Sequence, residues 1–265
     1  MKLAMLLALA LVACQASSDD YPPLHGGGGV GGGGGGGGSG SGSDAGAGDA
    51  GLALHGRVCR LSDLRNLGKL DKCDPTGVGG LTVTLGVGAS TTPGTRTTTT
   101  ADDGSFAISA PMGAGFTWHV FGSSTSGTGS GSDNRVVTRS AMPFGTDNTI
   151  PVILDGLLNQ VIGDNGVTVT DLQGSIFVRV LRGVTGVTGV VGAETTTSNE
   201  VLYSSDPSKG DIWDKNQTDS AGIVWVPGVP VALATVSLSQ QGTPLDPVRV
   251  SVEDQTNTFI TVELP

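Results

Sequence analysis

Short apolar runs that alternate with Thr, Ser or small residues, each closed by a Gly, Pro or Asp turn, fill the chain from Leu54 to Leu264. Alternation at period two sets one face of a run against a core and the other toward solvent, so these runs are strands. Leu81-Thr82-Val83-Thr84-Leu85 shows this in its simplest form, and Phe116-Thr117-Trp118-His119-Val120-Phe121 repeats it. Aromatic residues make up only 4% of the chain and charged residues 14%, so Val, Leu, Ile, Thr and Ala must build the interior. Thr and Val restrict χ1 and favour pleated strands over helices. The expected class is all-β.

The strands fall into two groups. The first, over 52–154, comprises Leu54–Cys59, Leu81–Leu85, Thr95–Thr100, Ser105–Ile108, Phe116–Phe121, Arg135–Arg139 and Thr149–Leu154. The second, over 172–265, comprises Gly174–Val180, Val190-Val191, Val201–Tyr203, Ile223–Val226, Ala234–Leu238, Val248–Val252 and Phe259–Leu264. Seven short strands at this spacing predict a sandwich in each group. Between them, over 155–171, Leu157, Leu158, Val161 and Ile162 recur at helical spacing and predict a short amphipathic helix in a linker. Leu61, Leu64, Leu67 and Leu70 predict a helical turn inside the segment bounded by Cys59 and Cys73.

The two groups look like one plan used twice. Thr100-Ala101-Asp102-Asp103-Gly104-Ser105-Phe106 and Thr218-Asp219-Ser220-Ala221-Gly222-Ile223-Val224 both place Thr four residues before Gly and an apolar residue two after it. A Pro/Gly corner follows each, Ala110-Pro111-Met112-Gly113 and Val226-Pro227-Gly228-Val229. Gly56-Arg57-Val58 and Gly174-Ser175-Ile176 are read as matching starts. This arrangement resembles carboxypeptidase regulatory-like domains, over most of Leu52–Leu154 and Leu172–Pro265. The resemblance implies a pair of Ig-like, transthyretin-like β-sandwich domains acting as non-catalytic accessory or adhesive modules. Ala221 stands where that family often has an acidic residue, and the cysteine segment is an addition to the first copy.

The N-terminus predicts where these domains reside. Lys2 and the apolar run Leu3–Val12 are too short to span a bilayer and fit a secretory signal. Leu11-Val12-Ala13-Cys14 resembles a bacterial lipobox. That resemblance implies removal of residues 1–13, lipidation of Cys14 and a membrane partner through the lipid anchor. Gln15 after the cysteine implies the outer membrane in a two-membrane bacterium, or the cell surface. Residues 14–51 include Gly26–Gly29 and Gly31–Gly38 and have almost no side chains to bury, so they predict a disordered, Gly-rich tether. Its 38 residues would span roughly 30–37 Å on average.

The formal net charge is −10, which excludes tracking of a phosphate backbone, so no nucleic-acid partner is expected. With Cys14 given to lipid, Cys59 and Cys73 remain as a pair. An exported compartment permits a disulfide between them, and two buried thiols are the alternative reading.

Catalytic chemistry is hard to assemble from the remaining residues. His25, His55 and His119 lack metal-ligand spacing, and His119, next to Trp118 on an alternating strand, is expected to face outward. No Gly-x-Ser-x-Gly elbow precedes a helix. Asp102 and Asp103 read as a turn, and Asp206, Asp211, Asp214 and Asp219 as a solvated acidic loop with calcium as the lesser reading. No nucleophile, base and orienting group can be named together, so no enzyme, cofactor or metal is expected. Trp213 and Trp225 are candidate platforms for a glycan, which makes a carbohydrate-binding surface module the alternative function; an envelope protein is the other candidate partner.

Overall fold

A computed structural model describes residues 52–68, 74, 78–87, 96–110, 116–123, 135–141, 148–197, 199–205 and 213–265. The signal, Cys14, the Gly-rich segment, His25, Cys73, Asp206 and Asp211 lie outside these residues. The strands are β1 (Leu52–Arg60), β2 (Thr82–Val87), β3 (Arg96–Thr99), β4 (Ser105–Ala110), β5 (Phe116–Ser123), β6 (Arg135–Ala141) and β7 (Asn148–Val152). After the helix α1 (Asp155–Asp164) come β8 (Gln173–Arg182), β9 (Thr185–Gly186), β10 (Val190–Ala193), β11 (Leu202–Tyr203) and β12 (Ile223–Pro230). The chain closes with β13 (Leu233–Gln240), β14 (Thr243–Pro244), β15 (Val248–Ser251) and β16 (Asn257–Leu264). A 3-10 turn at Leu64–Gly68 sits where the leucine spacing predicts one. Among the described residues no helix is long and apolar enough to cross a membrane.

Each half is a sandwich with its own core. In the first, the sheet β4-β1-β7 faces β3-β2-β5-β6. Leu54, Val58, Val83, Phe106, Trp118 and Ile150 are among the residues buried between them. In the second, β11-β12-β8-β16 faces β10-β13-β14, with β15 also paired to β13. Ile176, Val178, Val180, Val224, Val236 and Val250 fill that interior.

The recurring Thr-to-Gly segment forms the same corner in both halves. Thr100 Oγ1 accepts from Leu81 N at 2.9 Å and donates to Val78 O. Thr218 Oγ1 accepts from Val190 N at 3.0 Å and donates to Val187 O at 2.7 Å. Gly104 and Gly222 take φ of +79° and +69°, and their carbonyls accept from Val58 N and Val180 N, each at 2.8 Å. A Cβ on Gly104 would stand 2.5 Å from Val58 O, and one on Gly222 2.4 Å from Val180 O. Only glycine meets both the positive φ and the close approach.

These bonds correct the alignment of the two copies. Val58 corresponds to Val180, so Gly56 matches Val178 and not Gly174. The pairings agree: Gly56 lies opposite Phe106, and Val178 opposite Val224. Both parallel neighbours obey the same match, with Val58 beside Ile150 and Val180 beside Val262. Period-two strands look alike when slid by an even number of residues, whereas the corner admits one register.

The halves are joined through strands. β16 pairs in parallel with β8 of its own half and with β6 of the other, Asn257 opposite both Ser175 and Thr138. The result is one nine-stranded sheet running across both sandwiches. Where the sequence places a linker, α1 lies on this sheet and buries Leu158 and Val161.

Candidate functional site

Trp213 and Trp225 are buried, 4% and 0% exposed, so the exposed glycan platform expected from the sequence is corrected. Both belong to a third core lying between the halves. From the first half and the helix come Cys59, Leu61, Leu64, Leu67, Ile153, Leu158 and Val161; from the second come Phe177, Leu202, Trp213, Ile223, Trp225 and Phe259. Phe177 stacks on Trp225 at 5.6 Å and on Phe259 at 5.1 Å, and Trp213 meets Trp225 edge-on at 5.3 Å. Strands β8 and β12 are therefore covered on both faces. The signal was present in Ile223-Val224-Trp225-Val226 and Ile176-Phe177-Val178, which are unbroken apolar runs. Such runs mark two-sided burial, whereas alternation marks one wet face.

His119 is also corrected. It is 6% exposed, and its Nδ1 lies 3.6 Å from Glu253 Oε2, on the loop between β15 and β16. It therefore belongs to the contact between halves. His55 is exposed on β1.

Three of the acidic candidates, Asp103, Asp214 and Asp219, are engaged in turns. Asp103 Oδ1 accepts from Ser105 N at 3.0 Å and from Ser105 Oγ at 2.6 Å. The hydroxyl and backbone bonds of Ser105 hold the Asp103 carboxyl below its ordinary value. Asp219 Oδ1 accepts from Ser204 Oγ at 2.6 Å and Ala221 N at 2.9 Å, and Asp214 Oδ1 from Asn216 N at 2.9 Å. Among the described residues no group of three or more His, Cys, Asp or Glu could hold a metal ion.

Around the cysteine segment, Arg60 and Asp74 exchange backbone bonds at 3.1 and 3.2 Å, and their side chains form an ion pair. Cys59 is fully buried in the core between the halves. Asp63 is pushed up by burial, but the hydrogen bonds from Arg65 outweigh this and leave its carboxyl below the usual range.

One cavity has mixed chemistry. It has a volume of about 370 Å³ and lies between α1 and the first residues of β8 and β16. Leu158 and Ile162 of the helix and Val169 make its apolar wall. Asp155, Asn159, Asp171, Ser175, Gln255 and Asn257 supply polar groups. The rim is held firmly: Gln255 Nε2 donates to Asp171 Oδ1 at 3.0 Å, Gln255 N to Gln173 O at 2.7 Å, and Leu172 N to Asp254 Oδ1 at 2.7 Å. Gln255 and Leu172 take φ of +50° and +62°, uncommon for residues with a side chain. The sequence reading missed this cavity, because its polar residues come from four separate segments and none forms a motif.

No family model matches the chain. No curated protein matches it either. Among solved structures, a candidate cell adhesion protein from Bacteroides eggerthii DSM 20697 is similar at 10% identity and a TM-score of 0.24, covering 82% of this chain and 87% of that one. The shaft pilin SpaA from Lactobacillus rhamnosus GG is similar at 12% identity and a TM-score of 0.24, covering 81% and 100%. Scores this low carry no argument about fold or function, so the architecture rests on the strands and registers above.

Proposed function

We propose that the chain is a lipid-anchored cell-envelope protein that displays two non-catalytic β-sandwich domains for structural or binding work. In this reading residues 1–13 are the signal, 14–51 the tether, 52–154 and 172–265 the two domains, and 155–171 the segment between them. The observation that carries it is the joint. A shared sheet and a buried aromatic cluster hold two sandwiches as one body, and a run that resembles a lipobox precedes them by a Gly-rich segment. Ser204 and Asp219 bond each other in a turn, and Ser105 bonds Asp103 in another.

A Cys59–Cys73 disulfide belongs to the proposal. The Arg60–Asp74 backbone pair, between residues that each follow a cysteine in the sequence, supports it. Closing a loop of about 15 residues would stabilise the fold by roughly 3 kcal/mol in the chain-entropy model.

Globomycin, which blocks lipoprotein signal cleavage, tests the anchor. A larger precursor is expected to accumulate in treated cells, and Cys14→Ser is expected to release the protein from membranes. Unaltered processing and unaltered fractionation would overturn the reading.

A further inference from the structure

The end of α1 holds the one asparagine in the chain that is followed by glycine, Asn165-Gly166. We propose that this pair is a site of spontaneous deamidation that the folded joint holds in check. The helix needs the glycine. Gly166 takes φ of +63°, its N donates to Gly163 O at 3.2 Å, and Val167 N donates to Ile162 O at 3.0 Å. This is the left-handed glycine stop of a helix, closed by bonds back into the last turn. A Cβ on Gly166 would meet nothing within 4 Å, so its backbone conformation alone calls for glycine. The same choice leaves the backbone nitrogen after Asn165 unshielded by any side chain. That nitrogen is the nucleophile of deamidation.

In the reaction, Gly166 N attacks Asn165 Cγ, a new C–N bond closes a cyclic imide, and the bond from Cγ to Nδ2 breaks. Ammonia leaves with the proton of the Gly166 N–H. Water then opens the imide at Cγ to give aspartate, or at the backbone carbonyl to give isoaspartate. The sum is amide plus water giving acid plus ammonia, with no oxidant or reductant. The fold opposes the first step. Asn165 has ψ of 4°, which eclipses Gly166 N with the Asn165 nitrogen and turns it away from the side chain. The side chain is clasped at both ends: Nδ2 donates to Val161 O at 2.9 Å, and Oδ1 accepts from Trp213 N at 2.9 Å. Trp213 is itself buried in the core between the halves. Ring closure therefore waits for α1 to fray or for Trp213 to move. Once formed, the acid weakens the clasp. A carboxylate is acceptor-only and faces Val161 O with no proton to give. Its charge also sits at the carbonyl end of the helix, where the macrodipole disfavours it. An opening that ends in reaction is thus made permanent, because the ammonia is lost to solvent.

This inference depends neither on the anchor nor on the binding work of the reading above. Purified full-length chain would be incubated at mildly alkaline pH, in buffer and in denaturing urea, and its asparagines followed by peptide mass spectrometry. In urea, Asn165 is expected to convert before every other asparagine of the chain. In buffer its conversion is expected to be at least about tenfold slower than in urea, since only the opened fraction reacts. Asn165→Asp reproduces one product directly. It is expected to lower the melting temperature by at least about 2 °C and to shift tryptophan emission to longer wavelength. Another asparagine converting first in urea would overturn the proposal, and so would a slowing in buffer that falls short of tenfold. An Asn165→Asp protein with unaltered melting temperature and emission would overturn the clasp. The rate comparison uses the unaltered chain, so it decides the matter even where the variant does not fold.

Discussion

Thr100 and Thr218 each bond two backbone groups of their corners, one as acceptor and one as donor. Valine has nearly the same shape but neither donor nor acceptor. Replacing either threonine therefore removes one acceptor and one donor from a buried corner. Thr218→Val is expected to destabilise the protein by about 2–3 kcal/mol, lowering the melting temperature by roughly 4–12 °C. Thr100→Val should behave alike, since its geometry is the same. Urea titration of both variants checks this, and a loss under about 0.5 kcal/mol in either would show that the hydroxyl is not the tie. These threonines were legible because a side-chain bond and a positive-φ glycine fix their spacing at four residues. The strand starts were less so, because Gly56 and Gly174 look equivalent until the bonds to Gly104 and Gly222 are followed.

At the scale of elements, the strands follow their period while their faces follow their neighbours. β13 alternates exposed and buried from Leu233 to Leu238, as a strand with one wet face should. β12 is buried at seven successive positions because the first half and α1 cover the face that its own sandwich leaves open. No local pattern could say what that cover is, since it arrives from residues more than sixty positions earlier. β11 and β10 lie in different sheets and are tied by one side chain. Tyr203 Oη donates to Gly192 O at 3.0 Å and accepts from Gly192 N at 3.1 Å. Burial pushes the Tyr203 phenol above its ordinary value of 10.0, with the bond to Gly192 pulling the other way more weakly. The folded state thus holds its proton more tightly than the unfolded chain. That contribution is fully present below pH 10 and is lost as pH rises through the folded value. Tyr203→Phe is expected to lower stability by about 1–3 kcal/mol at neutral pH and to flatten the decline of melting temperature above pH 10. An alkaline limb as steep as in the unaltered protein would refute the assignment.

At the scale of the whole molecule, Ala47–Pro265 form one compact unit, inside which two sandwich cores can still be told apart. The third core and the β6–β16 pairing decide how they respond to heat. Separating the halves would expose Phe177, Trp213, Trp225 and Phe259 together and strip β16 of one neighbour. Calorimetry on the full chain is therefore expected to give a single transition whose calorimetric and van't Hoff enthalpies agree. Two resolved transitions would mean that the joint contributes little. Residues 172–265 expressed alone are expected to be poorly soluble, because an aromatic face of that kind marks an aggregation surface when uncovered.

The strand that completes the joint, β16, follows every other described strand in sequence. Sandwich contacts within 52–154 can close as soon as that stretch emerges, but β6 receives its outer partner only when Asn257–Ile260 arrive. A protein read from its N-terminus thus carries an open strand edge until residues 257–260 are made, and such edges pair readily with other chains. Any product cut short before Asn257 would keep that edge for its lifetime. β16 acts in this way as a check on synthesis: only a chain that extends through Asn257–Ile260 can shut the surface through which shorter copies would adhere.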